Sequence, residues 1–526
     1  MDWTLPYGSQ RQPVLADNVV TTSQPLAARA GASMFDRGGN AVDAAIATAA
    51  ALTAVEPVMN GLGGDAQVLL WDGKEVVALN GTGRSPAAWT PERFAGCERM
   101  PNEGWESVVV PGAVAVWADL SERYGKLPLD VVLAPAIHYA REGVPISPAI
   151  ARQWRIHAPR LKDQPGFAQA FLPGGSMPEA GERFRFPELA ASLERIAASR
   201  GRDFYEGEIA GRLVADARRH GAALTAQDLA DHRSRWVRPQ SIDYRGLQVH
   251  EMPPPSQGLA VQMALGILRH FDLGPSQDAA LRAHLQIEAM KIAFADIYGH
   301  VADPAMMRMD PAQLLAPAYL AGRARGIDPR RAGRHEACDI PRHSTVYLAA
   351  ADRGGMVVSF IQSNFQGFGS GVVVPGTGVS LHNRASGFSL RPGHPNQVDG
   401  AKQPFHTIIP GLLLRDGAPW GAVGVVGANM QPQGQMQVIS ALEDLGLNPQ
   451  AALDMPRWRV DDDGEGVRVE AAFPADVEAG LRERGHPVTR TPAGSMEFGG
   501  GQCLVRTGES YAAGSDPRRD GVPVGM

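Results

Sequence analysis

The run HSTVYLAAADRGGMVVSFIQSNFQGFGSG, residues 343–371, places Thr345 at the head of an alternating segment. A threonine hydroxyl is a weak nucleophile until a base stands beside it. The residue can supply that base itself, through its α-amino group, but only if the chain is cut between Ser344 and Thr345. The preceding PRRAGRHEACDIPRHS is rich in Arg and His, has little apolar periodicity and carries Pro341, as a cuttable connection would. Thr345 is therefore a candidate nucleophile made by scission; the plainer reading is a good β-former opening a strand. Residues 345–351 and 356–362 read as two strands around the turn Asp352-Arg353-Gly354-Gly355. That hairpin returns Ser363 to the neighbourhood of Thr345, where its hydroxyl can bond the threonine Oγ or simply cap a strand end. Further on, GVVGAN (424–429) ends a strand in small residues, whose backbone N–H groups are the donors an oxyanion needs.

Other chemistries find less support. His284 and Glu288 stand four apart on a helix, but there is no HExxH and no cysteine pair at ligand spacing. A solvated or capped helix face is the expectation there, with no metal and no cofactor. GLGGD (61–65) and GFGSG (367–371) match neither phosphate-loop pattern. Both read as tight turns, and the position of GFGSG after the hairpin suggests close backbone approach to a substrate. Ser370 lacks the GxSxG elbow of a serine esterase.

The elements that must position these groups divide the chain in two. Helices are expected over 25–35 and 41–55, separated by Arg37-Gly38-Gly39-Asn40, then a hairpin of strands 67–71 and 75–79. Helical periodicity dominates from 111 to about 334 and includes an amphipathic helix over 279–297. After Thr345 strands take over, at 345–351, 355–362, 371–374, 377–382, 408–414 and 421–426, with helices near 433–446 and 475–485. Sheets covered by helical layers follow from that order. Fifty Lys and Arg against 56 Asp and Glu, net charge −6, give no basis for nucleic-acid binding. Cys97, Cys338 and Cys503 cannot all pair and suit a reducing compartment. The opening residues show no secretory pattern, and no apolar run reaches membrane-spanning length, so a cytoplasmic location is expected.

Taken in order, these motifs resemble the γ-glutamyltransferase family, a branch of the N-terminal nucleophile hydrolases. The resemblance is carried by GGNAVDAAIATAAALTAVEP, GLGGDAQVLLWDG, VVVPGAVAVW, RYGKLPL, FYEGEIA, LTAQDL, PPPSQG, EAMKIAFAD, FGSGVVVPGTGVSLHN and GSDPRRDG. Together with the Thr345 hairpin they extend from about residue 13 to 521. It implies an α+β fold, a four-layer αββα sandwich made as a proenzyme that cuts itself into a large subunit, 1–344, and a small one, 345–526. These would stay associated as one αββα unit, and αβ pairs could themselves assemble. It implies that Thr345 Oγ attacks the Ser344 carbonyl, and that the freed threonine then attacks an amide substrate with its amine shuttling the proton. Ser363 matches the family hydroxyl that bonds the nucleophile. Gly427 and Ala428 match the glycine pair whose N–H groups hold the oxyanion.

The substrate pocket departs from the family pattern. The arginine that clamps a glutamyl α-carboxylate is replaced in LNGTGRSP by Thr82, with Arg84 the nearest guanidinium. The paired serines correspond to His406 and Thr407, and the aspartate that holds the α-ammonium corresponds to Gly387. A family asparagine corresponds to Phe365, next to Asn364. The 396–404 segment is too short for the lid of some relatives. Losing the ammonium's charged partner costs several kcal/mol, about enough to remove a preference for α-amino acyl groups. Arg84 and Arg384 remain to bind a substrate carboxylate, or to serve as surface ion-pair residues. The reading is an amidohydrolase for a small carboxylate-bearing amide such as oxamate, the subgroup of oxamate amidohydrolase and glutathione hydrolase-like proteins. Alternatives are a γ-glutamyltransferase or glutathione hydrolase, a glutaryl (cephalosporin) side-chain acylase, and an uncleaved non-enzymatic homologue.

Overall fold

The run AVDAAIATAAALTAV forms a helix, Ala41–Val55, buried along its whole length. Asn40 caps it by accepting from the amides of Val42 and Asp43, while Asp43 closes a capping box on the Asn40 amide. Its alanines admit close neighbours: a Cβ added to Gly31 on the preceding helix, Pro25–Asp36, would lie 2.1 Å from Thr48 Oγ1. The computed structural model describes residues 10–335 and 345–526. Ser344, half of the expected scission site, lies outside the described residues.

Two seven-stranded sheets make the frame. The first runs, in spatial order, Val524–Gly525, Val19–Thr22, Val346–Ala351, Val357–Ser363, Asp65–Trp71, Val76–Asn80, Arg235–Val237. The second runs Val14–Ala16, Ser510–Ser515, Gly500–Thr507, Ala418–Val426, Gly411–Arg415, Leu247–Glu251, Gln240–Tyr244. Strand alternation sorts side chains between layers. Val346, Leu348 and Ala350 join the core under the alanine-rich helix, whereas Tyr347, Ala349 and Ala351 pack with Leu412, Ala422 and Leu504 between the sheets. The outer face of the second sheet, including Val249, Leu413 and Val423, is covered by helices Gly258–Leu268, Ala279–His300 and Met430–Glu443. The order is helix, sheet, sheet, helix: the expected αββα sandwich. No helix among the described residues is long and apolar enough to cross a membrane.

Several local expectations need correction. The helix read as amphipathic runs Ala279–His300 and is buried nearly all round, including His284, Glu288 and Lys291. It lies between helices Gly258–Leu268 and Ala475–Glu483, so no face is left for water. The helix expected from 433 starts at Met430, because Pro432 in a first turn breaks no hydrogen bond. The strands at 371–374 and 377–382 shrink to a two-residue ribbon, Val373–Val374 with Val379–Ser380.

Candidate active site

Thr345 stands just before strand Val346–Ala351 and is 3 % exposed. The hairpin register pairs Val346 with Gln362, so Thr345 faces Ser363, and their oxygens lie 3.1 Å apart. The next strand pairs Ser363 with Asp65. Thr345, Ser363 and Asp65 thus stand side by side on three neighbouring strands, on the face turned toward the second sheet. With strands about 4.8 Å apart, the row spans about 10 Å.

At one end of the row the Thr345 oxygen meets two polar groups. Besides Ser363, Gln431 Nε2 donates to it from 3.2 Å. Ser363 Oγ also accepts from the amide of Phe365, at 2.7 Å. The turn from strand Ala418–Val426 into helix Met430–Glu443 runs through Gly427, φ 117°, and Ala428, φ 56°. Two successive residues with positive φ turn the chain sharply here, and a non-glycine in that region is strained. The strain is held by Gln257, whose Nε2 donates to Ala428 O at 2.9 Å and Thr407 O at 2.6 Å, while its amide donates to His406 O. PPPSQG was legible as a family motif, but this brace was not.

The other end is a buried ionic cluster: sequence reasoning placed Arg384, His406, Thr407 and Phe365 at the pocket but missed Asp65, which binds them together. Asp65 Oδ2 and Oδ1 accept from Arg384 Nε at 2.7 Å and Nη2 at 3.0 Å, and Oδ2 also meets His406 Nε2 at 2.7 Å. Arg384 Nη1 donates to Thr407 Oγ1 at 3.0 Å, and the guanidinium lies 3.9 Å over the Phe365 ring, whose own φ is 76°. His382 Nδ1 stands 3.5 Å from the same carboxylate. Burial pushes the Asp65 carboxyl up, but Arg384 and His406 outweigh it and hold it well below the usual range. Burial, then Arg384, lowers His406 to about 4. The neutral imidazole gives its Nε2 proton to Asp65 and leaves Nδ1 as an enclosed acceptor with no partner among the described residues. Arg384 was expected to be a carboxylate clamp or a surface residue. It is neither free nor exposed: Asp65 already neutralises it.

The remaining expected residues are engaged around this frame. Thr82 Oγ1 donates to Asn80 Oδ1 at 2.8 Å and accepts from Gln403 Nε2 at 2.7 Å. Arg84 pairs with Asp303 at 2.8 Å and donates to Ala401 O, so both tie down the 401–403 segment rather than join the Asp65 cluster. Asn364 reaches Ser380 Oγ at 3.3 Å, with Oδ1 buried and without a partner among the described residues. At Gly387 the backbone oxygen accepts from Asn396, and an added Cβ would lie 2.8 Å from Phe405 O. The GFGSG turn approaches its own chain, not an open site: a Cβ at Gly369 would lie 2.3 Å from Leu381 O. Ser370 Oγ donates to that same carbonyl.

His284, Glu288 and His486 bring ligand atoms within 4.8 Å of one another, buried rather than solvated as expected. Lys291 supplies a cation there, 3.5 Å from Glu288 Oε1 and 3.4 Å from His486 Nδ1. A chain of neutral imidazoles then runs from His486 Nε2 to His284 Nδ1, 2.7 Å, and on to Asp328 O, 2.8 Å. Glu288 Oε2 receives the Gly333 amide and His335. The cluster fastens the last described residues before 336 to the core.

Burial holds several histidines neutral, which predicts acid lability. His157, His232, His250 and His406 are lowered to about 4, and His486 to about 3, chiefly by desolvation. Unfolded, each takes a proton below about 6.5. Their contribution is therefore complete above that pH and is lost as pH falls toward 4. Glu56, raised to about 7, and Glu251, raised well above the usual range, act oppositely, as do the raised carboxyls of Asp43, Asp119, Asp454, Asp461 and Asp520, while His284 and His394 are lowered and add to the histidine side. Stability should fall by about 1.4 kcal/mol per pH unit for each net proton taken up by the unfolded chain. Urea midpoints measured from pH 7 down to 5 should drop steadily; a flat profile would contradict the neutral histidines.

Two stacked antiparallel sheets between helical layers, with a threonine heading a central hairpin, are the architecture of an N-terminal nucleophile hydrolase. The chain belongs to the gamma-glutamyltranspeptidase family, whose sequence profile matches residues 27–526. It is 36 % identical to the glutathione hydrolase-like YwrD proenzyme of Bacillus subtilis, over 97 % of this chain and 98 % of that one. It is 34 % identical to the oxamate amidohydrolase proenzyme of Klebsiella pneumoniae, over 95 % and 97 %. A crystal structure of a cephalosporin acylase from Bacillus halodurans superimposes with a TM-score of 0.95 at 44 % identity, covering 100 % of this chain and 99 % of that one. These relatives are hydrolases and amidohydrolases, and the first two are named as proenzymes; this chain is an enzyme of that kind.

Proposed function

We propose that the chain cuts itself at Ser344–Thr345 and that the freed Thr345 then hydrolyses a small, carboxylate-bearing amide of the oxamate type. The observation that carries the reading is the Thr345 oxygen, 3.1 Å from Ser363 and 3.2 Å from Gln431, beside the Gly427–Ala428 turn. In the precursor, Thr345 Oγ adds to the Ser344 carbonyl, the amide bond shifts to an ester, and water releases the large subunit. The new α-amine then takes the hydroxyl proton as the oxygen attacks the substrate carbonyl, and passes it to the departing nitrogen. The amides of Gly427 and Ala428 receive the oxyanion. Water resolves the acyl-enzyme; an amine in its place would give transfer.

The subunits, 1–344 and 345–526, would stay together because the first sheet interleaves them. Strands Val346–Ala351 and Val357–Ser363 lie between Val19–Thr22 and Asp65–Trp71. Unpaired Cys97 and Cys503 support a cytoplasmic enzyme.

The Asp65 cluster argues for a small acyl group. Arg384 Nη1 and Thr407 offer a donor pair to a carboxylate, yet Asp65 balances the charge, and Gly387 provides no carboxylate for an α-ammonium. A γ-glutamyl group fits this wall poorly. A glutaryl side chain, which also has a carboxylate and no α-ammonium, is the second reading, favoured by the likeness to a cephalosporin acylase. Oxamate, a glutaryl amide, glutathione and γ-glutamyl anilide should be assayed on the processed enzyme. Oxamate is expected to give the highest kcat/KM; fastest turnover of the γ-glutamyl anilide would overturn the reading of the pocket.

A further inference from the structure

Gln431 is fully buried in the first turn of helix Met430–Glu443, the positive end of the helix dipole. Its backbone amide donates to Ala428 O at 3.0 Å, and its side-chain Nε2 donates to Thr345 Oγ1 at 3.2 Å. One residue thus links the left-handed turn to the threonine oxygen. Its Oε1 is buried with no partner among the described residues. An enclosed carbonyl oxygen without a donor is unfavourable, and a hydrogen bond formed during the reaction would remove that cost.

We propose that Gln431 is a catalytic residue for both reactions of Thr345, acting on the nucleophile at two atoms; this rests on the nucleophile assignment above. Nε2 donates to Oγ as it passes from hydroxyl to alkoxide, a bond that strengthens as negative charge develops. Oε1 receives an N–H of the Thr345 amino group once scission has freed it. In turnover the amine takes the Oγ proton while the new C–O bond forms, and Oε1 accepts from the resulting ammonium. The proton then moves to the leaving nitrogen as its C–N bond breaks, and the amine returns to neutral. Ser363 contacts the same oxygen from the adjacent strand, so the hydroxyl is held from two directions.

The test compares Gln431→Met, which keeps volume and removes both hydrogen bonds, with Gln431→Glu, which keeps shape and replaces the donor by a carboxylate. Precursor cutting is followed on denaturing gels. Oxamate, or whichever amide of the panel is turned over, is used for kcat and KM. Both variants should slow cutting and lower kcat by about 10–100-fold with KM within about threefold, since the lost bond forms chiefly in the transition state. Gln431→Glu should recover part of its cutting rate at lower pH, where the protonated acid can donate again. A merely structural glutamine would not show that recovery. Wild-type cutting and kcat in both variants would overturn the proposal, as would a rise in KM at unchanged kcat. Thr345→Ala serves as the parallel control. If it still cuts, the nucleophile assignment has failed; if it stays whole while Gln431→Met behaves as wild type, only the Gln431 proposal has failed. Should Gln431→Met melt early, Gln431→Glu carries the same decision.

Discussion

Thr345→Ala is expected to leave the chain whole. The wild-type protein should run on a denaturing gel as two bands meeting at 344/345, and the variant as one full-length band. N-terminal sequencing of the smaller wild-type band should begin at Thr345. Amide hydrolysis should fall by about 10³-fold or more, because no neighbouring group can replace the attacking oxygen. Folding should be largely spared, since the hairpin partners of Val346–Ala351 are untouched. Thr345→Ser, which keeps the oxygen, should still cut, more slowly. A Thr345→Ala chain cut at the same bond would remove the enzyme reading in its present form.

Asp65→Ala is expected to give the largest stability loss of any single substitution in the site. The carboxylate is enclosed and holds Arg384 by two hydrogen bonds and His406 by one. Without it a guanidinium with essentially no exposure loses its only anionic partner among the described residues. Breaking one side of such a pair costs about 3–5 kcal/mol, mostly the penalty of the stranded charge. The double variant Asp65→Ala/Arg384→Met removes both charges and should be less destabilised than Asp65→Ala alone. Urea unfolding of the wild type and these variants measures that coupling. kcat/KM should fall in all of them, because Arg384, His406 and Thr407 lose a common support. Additive losses would mean that Asp65 and Arg384 do not depend on each other.

Much of the frame was legible along the chain. Alternation after Thr345 predicted the hairpin, and a return strand of that length predicted that Ser363 would come back beside it. The alanine-rich run predicted a helix, whose full burial only the structure shows, and GVVGAN marked the end of a strand. Misreadings came where tertiary neighbours overrode a local pattern. His284 and Glu288 read as a solvated or capped face because polar residues at helical spacing commonly are; His486 and the 328–335 segment cover them. GFGSG read as an approach to substrate because glycines tolerate close contact. The contact is with residues 381 and 382 of the same chain.

Sequence alone carries the hairpin, the glycine turn and the family, and singles out Thr345 as the candidate nucleophile, because each depends on short-range pattern or on motifs in order. Only tertiary structure decides the pocket. Asp65 lies 319 residues from Arg384 and 341 from His406, and Gln431 lies 86 from Thr345. No periodicity connects such positions. Sheet register and the turn into helix Met430–Glu443 bring them together, and burial then makes their mutual charge balance obligatory. Arg384, read as a carboxylate clamp or a surface ion-pair residue, becomes in the fold one half of a buried neutral pair.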